Sequence, residues 1–263
     1  MNFLYWNLNG KNLQTVIEST AKERSIDVII VSEFEETFVD RMVRNDIAHW
    51  HYVNSDGVCD KVGLIYREKM GVSVRLIRES VRFAIYLLVT PTGRYTLVGL
   101  HLQDRRNYPD PYQRMKAIRN IKELIINDEE LADLPQIFIG DFNAGPTDPE
   151  MTNHDSMFAI MYKGVAKRVR KSTSGGEEYH SYYNPILMSI SEDGEQYGSI
   201  YHSGFNTQYW YSYDQIVVTH ELIDTIRNVQ YLKGTKNRSF VSNKGIPLKE
   251  YSDHLPLYAE LDI

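Results

Sequence analysis

The sequence predicts an α/β fold in which β-sheets face one another beneath outer helices. Many short, apolar, strand-like runs alternate with a few longer segments whose apolar residues recur at helical spacing. No Pro/Ser/Gly-rich linker, low-complexity block or internal repeat interrupts the 263 residues. One domain with a continuous core, residues 1–263, is therefore expected.

Residues 2–8 alternate Phe3, Tyr5 and Asn7 with Leu4, Trp6 and Leu8, a strand pattern that Gly10 breaks. Leu13, Val16, Ile17 and Ala21 then predict a helix. Residues 27–31 (DVIIV) form a β-branched apolar run, the pattern of a strand buried on both faces. A second helix is expected over 37–48 and strands over 51–53, 62–67, 72–77, 83–90 and 95–101. Pro91-Thr92-Gly93 is a turn, so the last two strands form a hairpin. Met115, Ile118, Ile121 and Ile125 mark a helical stripe over 111–126, and PQIFI (135–139) is another buried strand. Residues 154–212 have weak periodicity and read as a variable loop region. Strands resume at 213–219, 226–232 and 255–261.

Acidic residues outnumber Lys and Arg by 35 to 29, a net charge of −6. That balance argues against a protein that coats nucleic acid, because such binding needs many Lys/Arg–phosphate contacts. It leaves room for an enzyme that grips one or two phosphates. Cys59 is the only cysteine, so an intramolecular disulfide is excluded and a reducing, cytoplasmic setting is expected. The opening MNFLYWNLNG lacks the basic start of a secretory signal. No apolar run approaches the roughly 18 residues of a membrane span, so no membrane partner is expected.

Polar residues recur at the ends of the apolar strands. Asn7 follows Tyr5-Trp6, Glu33 follows DVIIVS, and His101 follows YTLVGL. Asp141 and Asn143 follow IFIG, Asp214 opens DQIVV, and Asp253-His254 precede LPLYAEL. Strand ends meet at one rim of a sheet, so these residues can converge there. Their oxygen ligands suit Mg²⁺ or Mn²⁺. The motifs HExxH, GxxxxGK[ST] and GxSxG of zinc proteases, P-loop proteins and serine hydrolases are absent. Singly, each residue has an ordinary structural explanation, such as a turn-forming Asp. The conjunction carries the functional reading.

The segments WNLNG (6–10), SEF (32–34), GLHL (99–102), GDFNAGPTDPEM (140–151), SYDQIVV (212–218) and YSDHLPLYAEL (251–261) resemble, in order, the motifs of the endonuclease/exonuclease/phosphatase superfamily. That resemblance implies a four-layered α/β sandwich, two packed mixed β-sheets flanked by helices. It also implies a metal-dependent phosphoester hydrolase. Glu33 would be the main metal carboxylate, with Asn7 and Asp253 close to the ion, and Asn9 stands where some relatives carry an Asp. Asp141 and Asn143 match the pair that orients or deprotonates the attacking water. His254 matches the phosphate-facing histidine, with Asp214 holding it, and the base is either Asp141 or the His254–Asp214 pair. Asn7, Asn143 and His254 would touch substrate phosphate. By likeness to pancreatic-type deoxyribonucleases, His101 would be a second catalytic histidine, Asp60 its acid and Arg78 a phosphate-binding residue.

The implied activity is a nuclease, with DNA as the expected partner and Mg²⁺ (or Mn²⁺) as cofactor. The alternative is a phosphatase or phosphodiesterase on a small-molecule or lipid head-group phosphoester, which the acidic charge favours slightly. The complete residue set argues against a catalytically dead binding module. Within 154–212, Lys163, Lys167, Arg168, Arg170 and Lys171 accompany Tyr182, Tyr183, Tyr201, Tyr209, Trp210 and Tyr211. Basic residues among aromatics can grip a backbone and stack bases; the alternative is aromatics capping the sandwich beneath a solvated charged face. Arg105, Arg106 and Arg114 form a second basic set after His101, and Arg114 would either reach the site or lie on a helix surface.

Overall fold

Each of two sheets is built around one parallel βαβ unit. In the first, β1 (Asn2–Asn7) and β2 (Val28–Ser32) run parallel, from Phe3 opposite Val28 to Asn7 opposite Ser32. A parallel pair needs a crossover, and α1 (Gln14–Arg24) supplies it. The chain continues through α2 (Glu36–Arg44), β3 (Trp50–Tyr52) and β4 (Val62–Arg67). It then forms β5 (Ser73–Ser80), β6 (Phe83–Thr90) and β7 (Gly93–His101). The expected hairpin joins β6 to β7 with Thr90 opposite Gly93. The second parallel unit is β7, α3 (Tyr112–Ile126) and β8 (Gln136–Asp141). The computed structural model describes residues 1–44, 49–55, 57–189, 198–204 and 208–263. The end of the helix expected at 37–48 therefore lies outside the described residues.

The segment expected to be irregular is not without order. After α4 (Pro149–Thr152), which precedes it, the segment holds β9 (Ala159–Ile160), α5 (Lys163–Ala166), and the hairpin of β10 (Lys171–Ser174) with β11 (Glu177–His180). β12 (Tyr182–Tyr183) follows, then β13 (Ile200–Tyr201) and β14 (Trp210–Tyr211), which pair with each other. Next come β15 (Asp214–Val218), β16 (Ile226–Tyr231), the small ribbon β17 (Gly234–Thr235) with β18 (Arg238–Ser239), and β19 (Leu257–Leu261). The first sheet has the order β16-β19-β1-β2-β4-β3 and the second β5-β6-β7-β8-β15-β12-β9. With the helices outside, the result is the four-layered sandwich.

Strand periodicity sorts the core. Ala84, Tyr86 and Leu88 of β6, Ile137 and Ile139 of β8, and Ile216 and Val218 of β15 join the core shared with the first sheet. Their neighbours Phe83, Ile85, Leu87, Phe138 and Val217 pack with Ile118, Ile121 and Ile125 of α3. The sheets approach so closely at Gly99 that a Cβ there would lie 2.8 Å from Val62 Cγ1. Gly140 is more constrained: a Cβ would meet the Leu100 carbonyl oxygen at 2.0 Å. Glycine is required just before Asp141 so that β8 can lie against β7.

The α3 stripe differs from expectation by one residue. Arg114, not Met115, joins Ile118, Ile121 and Ile125 on the buried face. Residues 114, 118, 121 and 125 keep helical spacing, whereas Met115 is rotated by one position and stays partly exposed. β5 runs three residues past its expected end, with a bulge between Leu76 and Arg78.

This topology makes the site. The parallel strands β1, β2, β7 and β8 all point their C-terminal ends to one rim. β15 and β19 are antiparallel to β8 and β1, so their N-terminal ends reach the same rim. Asn7, Glu33, His101, Asp141, Asp214 and His254 come from those ends.

Candidate active site

At the end of β1, Asn7 links the two sheets. Its Nδ2 donates to Glu33 Oε1 at 3.0 Å in its own sheet and approaches Asp141 Oδ2 at 3.5 Å in the other. β1 and β2 stay paired beyond their last strand residues: Leu8 N–H donates to the Ser32 carbonyl at 2.8 Å and Gly10 N–H to the Glu33 carbonyl at 2.7 Å. His101 Nε2 lies 3.3 Å from Glu33 Oε1 and 3.8 Å from Asp141 Oδ2. Asn9, Glu33 and Asn143 have φ of 46°, 47° and 49°, the left-handed region that non-glycine residues seldom occupy. Such strain persists where surrounding bonds over-determine the backbone, and three of the seven non-glycine residues described with positive φ fall in the site.

Asp141 is opposite Asp214 in the β8–β15 register. Its Oδ1 accepts the Asn143 N–H at 2.7 Å, while Asn143 Nδ2 donates to the Leu102 carbonyl at 3.0 Å. His254 Nδ1 donates to Asp214 Oδ2 at 2.7 Å. Two serines fix this pair. Ser252 Oγ donates to the Asn7 carbonyl at 2.7 Å and accepts the His254 N–H at 3.1 Å. Ser199 Oγ accepts the Asp214 N–H at 3.1 Å. Sequence reasoning missed both. Ser252 carried a signal, a serine one residue before Asp-His; Ser199 carried none.

Environment separates the charges of these groups. The hydrogen bond from His101, with that from Asn7, holds Glu33 down at about 2 despite partial burial. Burial first, then the Asp214 charge, pushes Asp141 up to about 6. Burial alone would depress His254, but the charge and hydrogen bond of Asp214, with Asp141 and Asp253 nearby, outweigh it and raise the imidazole to about 10. Near neutrality the site thus holds an ionised Glu33, a titratable Asp141 and a protonated His254. Among the described residues, His101 Nδ1 and Asp214 Oδ1 are buried without a hydrogen-bond partner.

The donors fit a hard divalent cation at Glu33. Its carboxylate stays ionised, is about 40% exposed and is approached by Asn7 Nδ2 and His101 Nε2. Mg²⁺ is commonly held by one or two carboxylates, with waters and substrate phosphate completing the shell. Asn7 turns its amide nitrogen, not its oxygen, toward Glu33. Asp253 Oδ1 accepts from Asn9 Nδ2 at 2.9 Å, which places it beside Asn9. Asp141, Asp214 and His254 also lie close enough to surround an ion. His254 Nδ1 is committed to Asp214 Oδ2, which leaves its Nε2 for any further partner.

Other expected residues fall elsewhere. Arg78 is 59% exposed and lies 3.7 Å from Asp128, so electrostatic pairing draws it away from the cluster. Asp60 pairs with its neighbour Lys61 at 3.1 Å and leaves His101 Nδ1 unpartnered. Lys163 and Lys167 both pair with Asp224, at 3.3 and 2.6 Å, beyond the far end of β15. Lys171 pairs with Glu178 at 2.6 Å beside a cleft of about 1060 Å³ that includes Gln136 and Thr219, at the rim opposite the site. Tyr182 and Tyr183 are buried in the core. The basic cluster and these two tyrosines therefore do not flank the rim that carries the candidate site. Tyr201, Trp210 and Tyr211 do, because β13 bridges to His254 through Ile200. Arg114 is neither on the helix surface nor in the site; it is wholly buried against Glu150.

The profile of the Endonuclease/Exonuclease/phosphatase family matches residues 4–254, a span that holds every residue of the cluster. The chain belongs to that family. Its members are phosphoester hydrolases, and the architecture and rim described above are the family's DNase I-like fold. Solved structures share it at low identity. TDP2 from D. rerio, complexed with single strand DNA product, is 17% identical over 100% of this chain and 99% of that chain, with a TM-score of 0.63. The mannosyl-6-phosphatase Bt3783 of Bacteroides thetaiotaomicron is 15% identical over 100% of both chains, with a TM-score of 0.64. AP endonuclease LMAP from Leishmania major is 13% identical over 99% of this chain and 87% of that chain, with a TM-score of 0.58. At these identities the likeness is one of fold. No curated protein sequence matches the chain. Among the described residues, no helix is long and apolar enough to cross a membrane.

Proposed function

We propose that the protein is a divalent-metal-dependent phosphodiester hydrolase, a nuclease that cleaves DNA by in-line attack of water on phosphorus. The supporting observation is the opposition of a carboxyl near neutrality, Asp141, to a protonated histidine, His254, beside the ionised Glu33. Glu33, with Asn7 and Asp253 alongside, would hold Mg²⁺ or Mn²⁺, whose chemistry is to neutralise phosphoryl oxygens and stabilise the leaving oxygen. Asp141, held by the Asn143 N–H, accepts the proton of the attacking water. His254, oriented through Nδ1 by Asp214, presents Nε2 to a phosphoryl oxygen as a charged donor. His101 offers Nε2 between Glu33 and Asp141, where it can bond substrate phosphate or water. Asn7 and Asn143 fix the carboxylates around it.

The aromatic hairpin beside His254 favours a nucleic acid over a small phosphomonoester. The single strand DNA product in D. rerio TDP2 makes the same choice reasonable, while the fold of Bt3783 keeps a sugar phosphate as the competing substrate. The deciding experiment incubates purified protein with plasmid, linear duplex, single-stranded DNA and RNA in Mg²⁺, Mn²⁺ or EDTA, with an Asp141→Ala control. Metal-dependent cleavage of DNA, lost in the variant, is expected. Intact nucleic acids together with phosphate released from sugar phosphates would move the protein to the phosphatase branch. A trapped phosphoryl-enzyme would overturn direct attack by water.

A further inference from the structure

Three loops that lead from or into catalytic strands close around a small pocket. Arg105 lies four residues beyond His101, Gly145–Asp148 begin two residues beyond Asn143, and Trp210–Ser212 end two residues before Asp214. Together with Gly198 and Gln208 they line a pocket of about 240 Å³. Pockets for drug-sized ligands run to roughly 300–1,000 Å³, so this one takes a single ring system and not a whole substrate.

Its chemistry narrows the occupant. Arg105 is ion-paired to Asp148. Asp148 Oδ2 also accepts the Gly145 N–H at 2.8 Å. The one guanidinium in the lining is therefore neutralised and held to the wall, which disfavours a second phosphate. The other side is aromatic, from Trp210 and Tyr211. These rings extend in two directions. Tyr211 meets Tyr213 at 5.3 Å, and the Arg105 guanidinium lies 6.0 Å over Tyr213. Trp210 meets Tyr201 at 5.3 Å, and Tyr201 stacks on the half-exposed Tyr209 at 6.1 Å and 18°. A run of rings leading from a one-ring pocket to solvent suits successive unpaired bases, because every base has a π-face.

We propose that this pocket seats the base of a nucleotide adjoining the scissile phosphate and that the Trp210–Tyr201–Tyr209 run stacks the next base. The protein is then a reader of unpaired rather than duplex nucleic acid. This inference rests on the nuclease reading, and its test separates the two.

Binding of a fluorescein-labelled thymidine 12-mer is measured in EDTA against a 12-mer with the same sugar-phosphate length but abasic tetrahydrofuran units. One stacked base contributes about 1–3 kcal/mol, so the wild type should prefer the thymidine oligomer by roughly 5- to 150-fold. Tyr211→Ala should lose most of that preference, while Tyr211→Phe, which keeps the ring, should retain it. Equal wild-type affinity for the two oligomers overturns the proposal, as does equal weakening of both by Tyr211→Ala. With Mg²⁺ added, cleavage of both oligomers at equal rates would leave the nuclease reading standing and remove only the base pocket. Failure to cleave any nucleic acid would remove both. Phosphate release from hexose 6-phosphates that Tyr211→Ala abolishes would assign the pocket to a sugar instead.

Discussion

His254 Nδ1 donates to Asp214 Oδ2 at 2.7 Å across 40 residues of sequence, and solvent barely reaches either side chain. The protonated imidazole is thereby a stabilising element as well as a catalytic candidate. Its folded value of about 10 stands above the ordinary 6.5. Its stabilisation is complete below about 6.5 and is lost as pH rises through about 10. Lys122 works in the opposite sense. Burial depresses it to about 8, so its penalty is relieved as pH rises from about 8 to its ordinary 10.5. Comparison of the wild type with His254→Gln isolates the histidine. In EDTA, the wild-type advantage in melting temperature should shrink steadily between pH 6.5 and 10. A constant difference over that window would show that His254 is neutral in the folded protein.

Asp141 should behave as a cost to stability at neutral pH. Burial and Asp214 lift it to about 6 from an ordinary 3.8. The folded state then binds the proton more tightly, stability falls as pH rises from about 3.8 to 6, and the whole penalty is present above that. Asp141→Asn removes the charge while keeping the shape. It should abolish phosphodiester hydrolysis by about 10²–10⁴-fold, the usual contribution of a positioned base. It should also raise the melting temperature of the metal-free protein at pH 7, by roughly 2–4 °C for each kcal/mol relieved. At pH 4 that gain should vanish. A variant that is inactive but less stable at pH 7 would mean that the carboxylate is held by favourable contacts.

The convergence of polar residues at one rim was legible in sequence because its signal is local. Each of Asn7, Glu33, His101 and Asp141 interrupts an apolar strand pattern at its end, and strand ends in an α/β fold share a rim. What could not be read depends on partners distant in sequence. Lys163 and Lys167 looked like a phosphate grip until folding brought Asp224 to them. Tyr182 and Tyr183 looked available for stacking, but β12 pairs with β9 and β15 and takes them into the core. Arg78 looked like a phosphate ligand until α3 placed Asp128 beside it. Ser199 holds Asp214 from 15 residues away by a single hydroxyl, with no pattern around it to mark the role.

Arg114 is the largest departure from the sequence pattern, and it supports a prediction of non-additivity. Its Nε donates to Glu150 Oε1 at 2.7 Å, with the side chains 0% and 1% exposed. Its Nη1 donates to the Tyr108 carbonyl at 2.7 Å and approaches the Gln103 carbonyl at 3.4 Å. Gln103 and Tyr108 belong to the loop after His101, and Glu150 follows the loop after Asn143. The pair thus ties together the loops that follow His101 and Asn143. Removing one partner of a buried ion pair typically costs about 3–5 kcal/mol, because the other charge is stranded, whereas replacing both by apolar groups can be nearly neutral. Here the stranding begins from an imperfect network: Arg114 Nη2, Glu150 Oε2 and Gln103 Oε1 are buried without partners among the described residues. Arg114→Met and Glu150→Met should each destabilise the protein severely in denaturant unfolding. The double variant should be more stable than either single variant, so the effects fall far short of their sum. If the double variant's cost equalled that sum, the two charges would be stabilised separately by their surroundings, and the pair would not be the tie between the loops.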